Sequence, residues 1–277
     1  MTGLPISVVI PAVNAELFLS EAVESVKAQT CGAAEIIVVD NGSEDRTLEV
    51  ARKLGVKTLE RKDLRGPAPA RNYGIQTSQQ EWIAFLDADD RWLPQKLEKQ
   101  WAAVQQFPDA GIVSCYVRIF ENDAVVFEES IEGTKQRWTD FTGSCESTGQ
   151  FRYFPKVEKS FFPRFQPSPS DVLIRRDVFG EVGLFDETLE YCEDLEMFLR
   201  ILARYPLAIV EKSLVENRRH AGKMSFHFAQ MRSYLFAVIN KVLEHPEQYP
   251  PGAGEVYRDI LKKNFFLAEK RLSQSGH

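Results

Sequence analysis

Long apolar runs are missing from this chain. No hydrophobic stretch approaches the roughly 20 residues that a helix needs to cross a bilayer, so no spanning helix is expected. Residues 1–5 carry no charged segment leading into an apolar one, so no secretory signal is expected either. Cysteine is scarce: Cys31, Cys115, Cys145 and Cys192 lie far apart and form no C-x-x-C pair, which suggests neither a zinc site nor a disulfide scaffold. Lys/Arg-rich runs are absent and the formal net charge is -6, which disfavours nucleic acid as a partner. Internal repeats are absent as well. A reducing cytoplasm fits this profile, with peripheral contact at the inner face of a membrane and homodimer formation both left open. The 277 residues, 44% hydrophobic and 27% charged, suffice for one large α/β domain with an appended subdomain.

The first hundred residues alternate between two periods. Ile6-Ser-Val-Val-Ile10 reads as a short buried strand stopped by Pro11. Residues 16–29 place Leu19, Ala22, Val23 and Val26 at helical spacing, with Asn14 expected as the N-cap. Glu35-Ile-Ile-Val-Val-Asp40 reads as a second strand, after which Ser43 is expected to cap a helix running to about Leu54. A third strand over 56–60, a helix within 66–77 and a fourth strand over 82–86 follow. This rhythm predicts right-handed crossovers and a mixed, mainly parallel sheet flanked by helices. In such sheets ligands sit beyond the carboxyl ends of the strands. Asn14, Asp40, and Asp87 with Asp89 all fall at such ends.

The remainder is less regular. The pattern predicts a helix over 96–106 and a hairpin of 110–120 with 124–128 around Glu121-Asn-Asp123. Residues 129–166 show no clear period, and a stretch that long is often a binding loop or lid; with Pro167-Ser-Pro-Ser170 it is where the binding site for a second substrate is expected. A strand over 171–174, a strongly amphipathic helix over 192–205, and extended segments over 207–210 and 213–217 are expected next. From 225 to 272 the pattern is mostly helical, interrupted at Pro246, Pro250 and Pro251.

Phe85-Leu-Asp-Ala-Asp-Asp90 sets carboxylates at the edge of the fourth strand. In an extended segment, residues two apart point the same way, so Asp87 and Asp89 can face one ligand. A few hard oxygen ligands suit Mg²⁺ or Mn²⁺ shared with substrate phosphates, and a diphosphate approaching acidic residues requires such a cation. A bare D-x-D also occurs in solvated turns. Its position after an apolar strand, in register with Asp40, favours the metal reading.

These residues resemble the family-2 inverting glycosyltransferases with the GT-A (Rossmann-like) fold. The resemblance rests on Val8-Val-Ile-Pro-Ala-Val-Asn14, Glu35-Ile-Ile-Val-Val-Asp-Asn-Gly-Ser43 with Asp45, Ala70-Arg-Asn-Tyr-Gly74, Phe85-Leu-Asp-Ala-Asp-Asp90, Gly183-Leu-Phe-Asp-Glu187 and Glu193-Asp194. Each block is weak alone; their order and spacing are specific. The resemblance implies a catalytic domain over 1–222, with its acceptor-side half at about 110–222, and a helical C-terminal extension over 223–277. It implies that Pro11, Ala12 and Asn14 line the donor site, that Asp40 accepts a hydrogen bond from the base, and that Arg71 lies near base or phosphate. Asp87 and Ala88 would border the ribose and Asp89 would hold the metal, with His220 approaching metal or diphosphate. Asp194 would be the general base, and Glu193 would bind acceptor or be structural. Trp138 is the acceptor-contact candidate among aromatics (Phe141, Phe151, Tyr153 and Phe154) that equally suit a local core. Two departures, Val13 for an aromatic residue and Asn41 for an aspartate, bear on nucleotide preference rather than on the metal pair or the base.

The expected reaction moves a sugar from a nucleotide-diphosphate donor, UDP-sugar favoured, to a hydroxyl of a saccharide or lipid-linked acceptor, with Mn²⁺ or Mg²⁺. Cell-surface polysaccharide or glycolipid synthesis is the expected setting. The alternatives are a non-catalytic sugar-nucleotide-binding regulator or scaffold, disfavoured by the intact acidic set, and a nucleotidylyltransferase. The latter is disfavoured because Pro11-Ala-Val-Asn14 offers no glycine-rich basic phosphate loop.

Overall fold

The computed structural model describes residues 3–128, 133, 138–139, 141, 143–162, 164–165, 167–223 and 228–259. Parts of the expected 129–166 loop and of the expected C-terminal helices (224–227 and 260–277) lie outside the described residues. The N-terminal half runs β1 (Leu4–Ala12), α1 (Leu19–Lys27), β2 (Ala33–Asp40), α2 (Thr47–Lys53), β3 (Lys57–Glu60), α3 (Pro67–Thr77) and β4 (Trp82–Phe85). Then come β5 (Arg91–Trp92), α4 (Lys96–Gln106), β6 (Ile112–Glu121), β7 (Ala124–Glu128), β8 (Glu146–Ser147) and β9 (Phe151–Phe154). A 3₁₀ turn (Pro169–Asp171), β10 (Leu173–Arg175), α5 (Val178–Val182), α6 (Glu193–Arg204), β11 (Leu207–Arg218) and α7 (Phe228–Glu244) follow. No helix among the described residues is long and apolar enough to cross a membrane.

All described strands join one sheet in the order β3-β2-β1-β4-β10-β6-β11-β9-β8, with β5 on β11 and β7 on β6. The first four pair in parallel, as the helical crossovers require. Beyond β4 the parallel character is lost except between β6 and β11. β10 is antiparallel to both its neighbours, and β7, β8, β9 and β5 also pair antiparallel. The sheet is therefore mixed, and the expected parallel majority holds only for its N-terminal half. In the rest, β6–β7 and β8–β9 are hairpins, while α4 still leads into β6 and α5 and α6 into β11. In the β6–β7 link, Asn122 and Asp123 both take positive φ (48° and 59°), as a two-residue type I′ hairpin demands and as Asn and Asp tolerate.

Strand side chains alternate between two cores. Val9, Ile37, Val39, Ile83 and Phe85 enter one, where α3 and α6 pack. Val8, Ile10, Val38, Trp82 and Ala84 enter the other, under α1 and α4. Strands buried on both faces read as continuous apolar runs, which is why β1, β2 and β4 stand out in the sequence. α1 buries Leu19, Ala22, Val23 and Val26, the four positions its period predicts. Each Leu or Val so buried contributes roughly 1.5–3 kcal/mol. α3 lies so close on β1 that a Cβ on Gly74 would stand 2.2 Å from Val9 Cγ1.

Two expected caps are corrected. α1 begins at Leu19 with Phe18 at its N-cap and no side-chain cap, and α2 begins at Thr47 after Arg46. Asn14 and Ser43 instead tie two loops together: Asn14 N donates to Ser43 Oγ, and Glu44 N donates to Asn14 Oδ1. The two extended segments expected before Arg218 are one strand, β11, with register shifts near Ser213. On the C-terminal side, Val238, Ile239 and Val242 of α7 and Tyr249, Val256 and Tyr257 share the core of α6. Tyr249 donates its hydroxyl to Glu196 of α6 at 2.8 Å.

Candidate active site

Three strand ends meet at one sheet edge. β1 ends at Ala12, β2 at Asp40, and β4 feeds the Asp87–Asp90 turn. Asp40 is 1% exposed. Its Oδ1 accepts from the backbone N–H of Gly42 and Ser43, both at 3.2 Å. Gly42 (φ 98°) supplies the left-handed turn that aims those N–H groups back. Asp40 Oδ2 is buried without a partner. A buried carboxylate oxygen left unsatisfied is costly, and this one is open to a further N–H or O–H donor. Pro11 is partly exposed beside it, whereas Ala12 and Ala88 are buried in the core.

The aspartates converge by a route other than strand alternation. β4 stops at Phe85 and the chain turns, with Asp90 N donating to Asp87 O at 3.0 Å. One carboxylate oxygen from each of Asp87, Asp89 and Asp90 then lies within 4.8 Å of the others. Hard oxygen donors at this spacing fit Mg²⁺ or Mn²⁺. Asp90 differs from the other two: it is 1% exposed, and Ser170 Oγ, Asn217 Nδ2, Arg218 N and Lys223 Nζ all donate to it. Burial pushes its carboxyl up to about 6 even against Lys223. Asp87 and Asp89 are the partly exposed pair. Asp89 Oδ2 lies 2.9 Å from His220 Nε2, so His220 buttresses the expected metal ligand. The His220 ring also packs on Phe18, centroids 4.8 Å apart.

Arg71 joins this turn to the start of α6. It lies buried in α3; Nη2 donates to Asp87 Oδ1 at 2.8 Å and Nη1 to Glu193 Oε1 at 2.5 Å. Burial works against its charge, but Asp87, Glu193 and Asp194 outweigh this and raise its pKa. Arg71 thus bridges the two acidic segments with one N–H from each Nη, while its Nε is buried without a partner. Three carboxylates share this one guanidinium, so they are incompletely compensated. Glu193 is pushed up to about 7 by burial and by Asp194, against the pull of Arg71. Asp194 is raised by burial and by Asp87, with Arg71 opposing. Its Oδ1 accepts from Leu195 N in the first turn of α6. Asp194 is partly exposed, and a carboxylate held above its ordinary value is a stronger base than a free one.

Trp138 does not stand at this edge as an acceptor surface. It is 6% exposed, packs on Phe141, Phe154 and Phe161, and donates its indole N–H to Tyr116 Oη at 3.2 Å. The local core is what the structure shows, and the acceptor role expected for this ring is dropped. Sequence reasoning placed Ser170 in the expected acceptor-side segment and missed its contact with the aspartate turn. Its Oγ accepts from Asp87 N at 3.1 Å and donates to Asp90 Oδ2 at 2.8 Å, while its carbonyl accepts from Trp92 Nε1 at 2.8 Å. One buried hydroxyl thus braces both ends of the aspartate turn. It missed Asn72 too, which pins Phe185 through both backbone groups and reaches Glu187. Asn72 sits inside a quoted block, so a signal existed; the Pro167-Ser-Pro-Ser170 segment carries no pattern that points to the aspartate turn.

A parallel four-strand half with an aspartate turn after its fourth strand, extended by a mixed half that brings a second acidic pair to the same edge, defines the GT-A class of α/β domain. The chain belongs to glycosyl transferase family 2, whose model matches residues 7–181. It is 28% identical over 221 residues to an uncharacterized glycosyltransferase of Rickettsia typhi, covering 78% of this chain and 64% of that protein. It is 28% identical over 274 residues to one of Rickettsia conorii, covering 95% of this chain and 42% of that protein. The chain thus spans only part of the length of these relatives. Among solved structures it is similar to S. aureus TarS in complex with UDP-GlcNAc (TM-score 0.65, 18% identity, 87% of this chain and 67% of that one). It is also similar to the mannosyltransferase PcManGT of Pyrobaculum calidifontis in complex with GDP-Man and Mn²⁺ (TM-score 0.60, 17% identity, 92% and 68%). At such identities these two likenesses establish the fold.

Proposed function

We propose that this chain is an inverting glycosyltransferase that moves a sugar from a nucleotide-diphosphate donor to an acceptor hydroxyl with the help of Mn²⁺ or Mg²⁺. The observation that carries this reading is the Arg71 bridge. It places the Asp87–Asp89 turn and the Glu193-Asp194 pair in one electrostatic unit, with donor chemistry on one side and a base on the other. A divalent ion on Asp87 and Asp89 supplies charge stabilisation for the departing diphosphate. Asp194 takes the acceptor proton as the acceptor oxygen bonds to the anomeric carbon. The bond from that carbon to the diphosphate breaks on the opposite face, and the electron pair leaves on the diphosphate. Positioning, base catalysis and leaving-group electrostatics then account for the rate.

The unpartnered Asp40 Oδ2 supports base recognition through a ring N–H, which uracil offers as an imide. A UDP-sugar is therefore the favoured donor, and a saccharide or lipid-linked hydroxyl in polysaccharide or glycolipid synthesis is the favoured acceptor. The experiment is donor turnover with Mn²⁺, read as released nucleoside diphosphate, for the wild type and Asp194→Asn. The variant keeps donor affinity and loses turnover by roughly 10²–10⁴-fold. Near-normal turnover in it would remove Asp194 from the role. Donor binding by the wild type with no turnover under any acceptor would favour a binding regulator instead.

A further inference from the structure

Asp90 and Lys223 form a unit that the reaction as described does not use. A carboxylate offers about four lone-pair sites. In Asp90 all are filled: Oδ1 accepts from Arg218 N (3.0 Å) and Lys223 Nζ (2.7 Å), and Oδ2 from Ser170 Oγ (2.8 Å) and Asn217 Nδ2 (3.0 Å). Its side chain is 0% exposed. Asp90 is therefore poorly suited to be a third metal ligand, although it lies within reach of Asp87 and Asp89. It is instead the seat of Lys223, whose side chain is 12% exposed. From that seat Lys223 Nζ stands 3.5 Å from Asp89 Oδ2, the same oxygen that meets His220. A fixed positive charge thus sits one contact away from the principal expected metal ligand.

We propose that Lys223 couples metal binding to nucleotide binding: seated on Asp90, it weakens the hold of Asp89 on a free divalent cation and favours a cation that arrives with a diphosphate. This rests on the glycosyltransferase reading above. The argument is electrostatic. A bare divalent ion at Asp87 and Asp89 is repelled by the ammonium a few ångströms away, in a partly buried setting where screening is weak. A diphosphate carries negative oxygens that the same ammonium attracts, and paired with the ion it largely cancels the ion's charge. The lysine therefore penalises the metal alone and rewards the metal with nucleotide. Linkage makes the effect reciprocal: UDP tightens Mn²⁺ by the same factor by which Mn²⁺ tightens UDP.

The test measures Mn²⁺ binding to the full chain, by the paramagnetic resonance signal of free Mn²⁺ and by calorimetry, with and without UDP. It compares the wild type, Lys223→Met and Lys223→Arg. In the wild type UDP tightens Mn²⁺ about tenfold or more, within the usual range of such couplings of about 5- to 150-fold. Lys223→Met binds Mn²⁺ alone about tenfold more tightly than the wild type, binds UDP less tightly in the presence of Mn²⁺, and shows a coupling factor about tenfold smaller than the wild type's. Lys223→Arg, which keeps the charge, retains coupling. A Met variant that binds Mn²⁺ alone no more tightly than the wild type, or keeps the full coupling, overturns the proposal. A purely structural lysine would weaken both ligands together, whereas coupling moves them in opposite directions. Lys223→Gln, which keeps a donor for Asp90, is the second variant, and failure of both neutral variants to fold would make Lys223 a mere counter-ion of Asp90 and overturn the proposal. Wild-type protein that binds neither Mn²⁺ nor any nucleotide would instead sink the glycosyltransferase reading itself, and the coupling with it.

Discussion

Replacing Glu193 by glutamine should flatten the pH dependence of stability. Glu193 is 5% exposed and lies between Arg71 and Asp194, where burial and Asp194 hold its carboxyl near 7 rather than at the ordinary 4.5. The folded state therefore binds this proton more tightly than the unfolded state does. The stabilisation it gives is full below pH 4.5 and is lost as pH rises through about 7. At about 1.4 kcal/mol per pH unit, the whole span is worth about 3 kcal/mol, of which about 2–3 kcal/mol falls between pH 5 and pH 8. Asp90 and Asp171, both pushed up to about 6 by burial, tilt the curve in the same direction, so the readout is wild type minus variant. Glutamine keeps an acceptor for Arg71 Nη1 and removes the titration. Urea unfolding of metal-free, nucleotide-free protein at pH 5 and pH 8 measures the difference directly. The variant should gain about 2–3 kcal/mol on the wild type over that interval. Parallel curves for the two proteins would refute the claim that burial outweighs the Arg71 ion pair at Glu193.

Ser170→Ala removes the hydroxyl shared by Asp87 N and the buried Asp90 carboxylate, and should destabilise the fold by about 1–3 kcal/mol. It should also weaken Mn²⁺-dependent UDP binding; calorimetry showing wild-type affinity would mean the turn holds its shape without Ser170. Gly74→Ala drives a Cβ into Val9 Cγ1 where α3 meets β1, and should lower stability by about 1–3 kcal/mol in thermal unfolding. An unchanged melting temperature would show that the helix can lift off the strand without penalty.

The parallel half of the sheet was legible because each strand there is buried on both faces, which leaves unbroken β-branched runs at regular intervals. Helix ends were less legible. Asn14 and Ser43 have the right chemistry for caps, but a side-chain oxygen can satisfy any nearby N–H, and here the two loops satisfy each other. β10 was expected as a strand, yet nothing in its three residues signals that it enters between β4 and β6 and reverses the local direction. That insertion is decisive for the site. It carries the preceding 3₁₀ turn, and with it Ser170, under the Asp87–Asp90 turn.

The local pattern exposes the aspartates but not the groups that support them. Asp87 and Asp89 are visible because they follow a strand by one turn. The groups that fix their charge and geometry come from far along the chain: Ser170 from before β10, Arg218 from the end of β11, and His220 and Lys223 from the segment just after it. β11 ends beside the turn because β5, immediately after the aspartates, pairs antiparallel with it at Arg91↔Glu216 and Trp92↔Val215. Those two ladder positions bring cationic groups from the end of β11 and beyond it onto the local acidic motif. A two-residue strand has no period that a sequence can display, so the half of the site that braces the aspartates emerges only once the chain is folded.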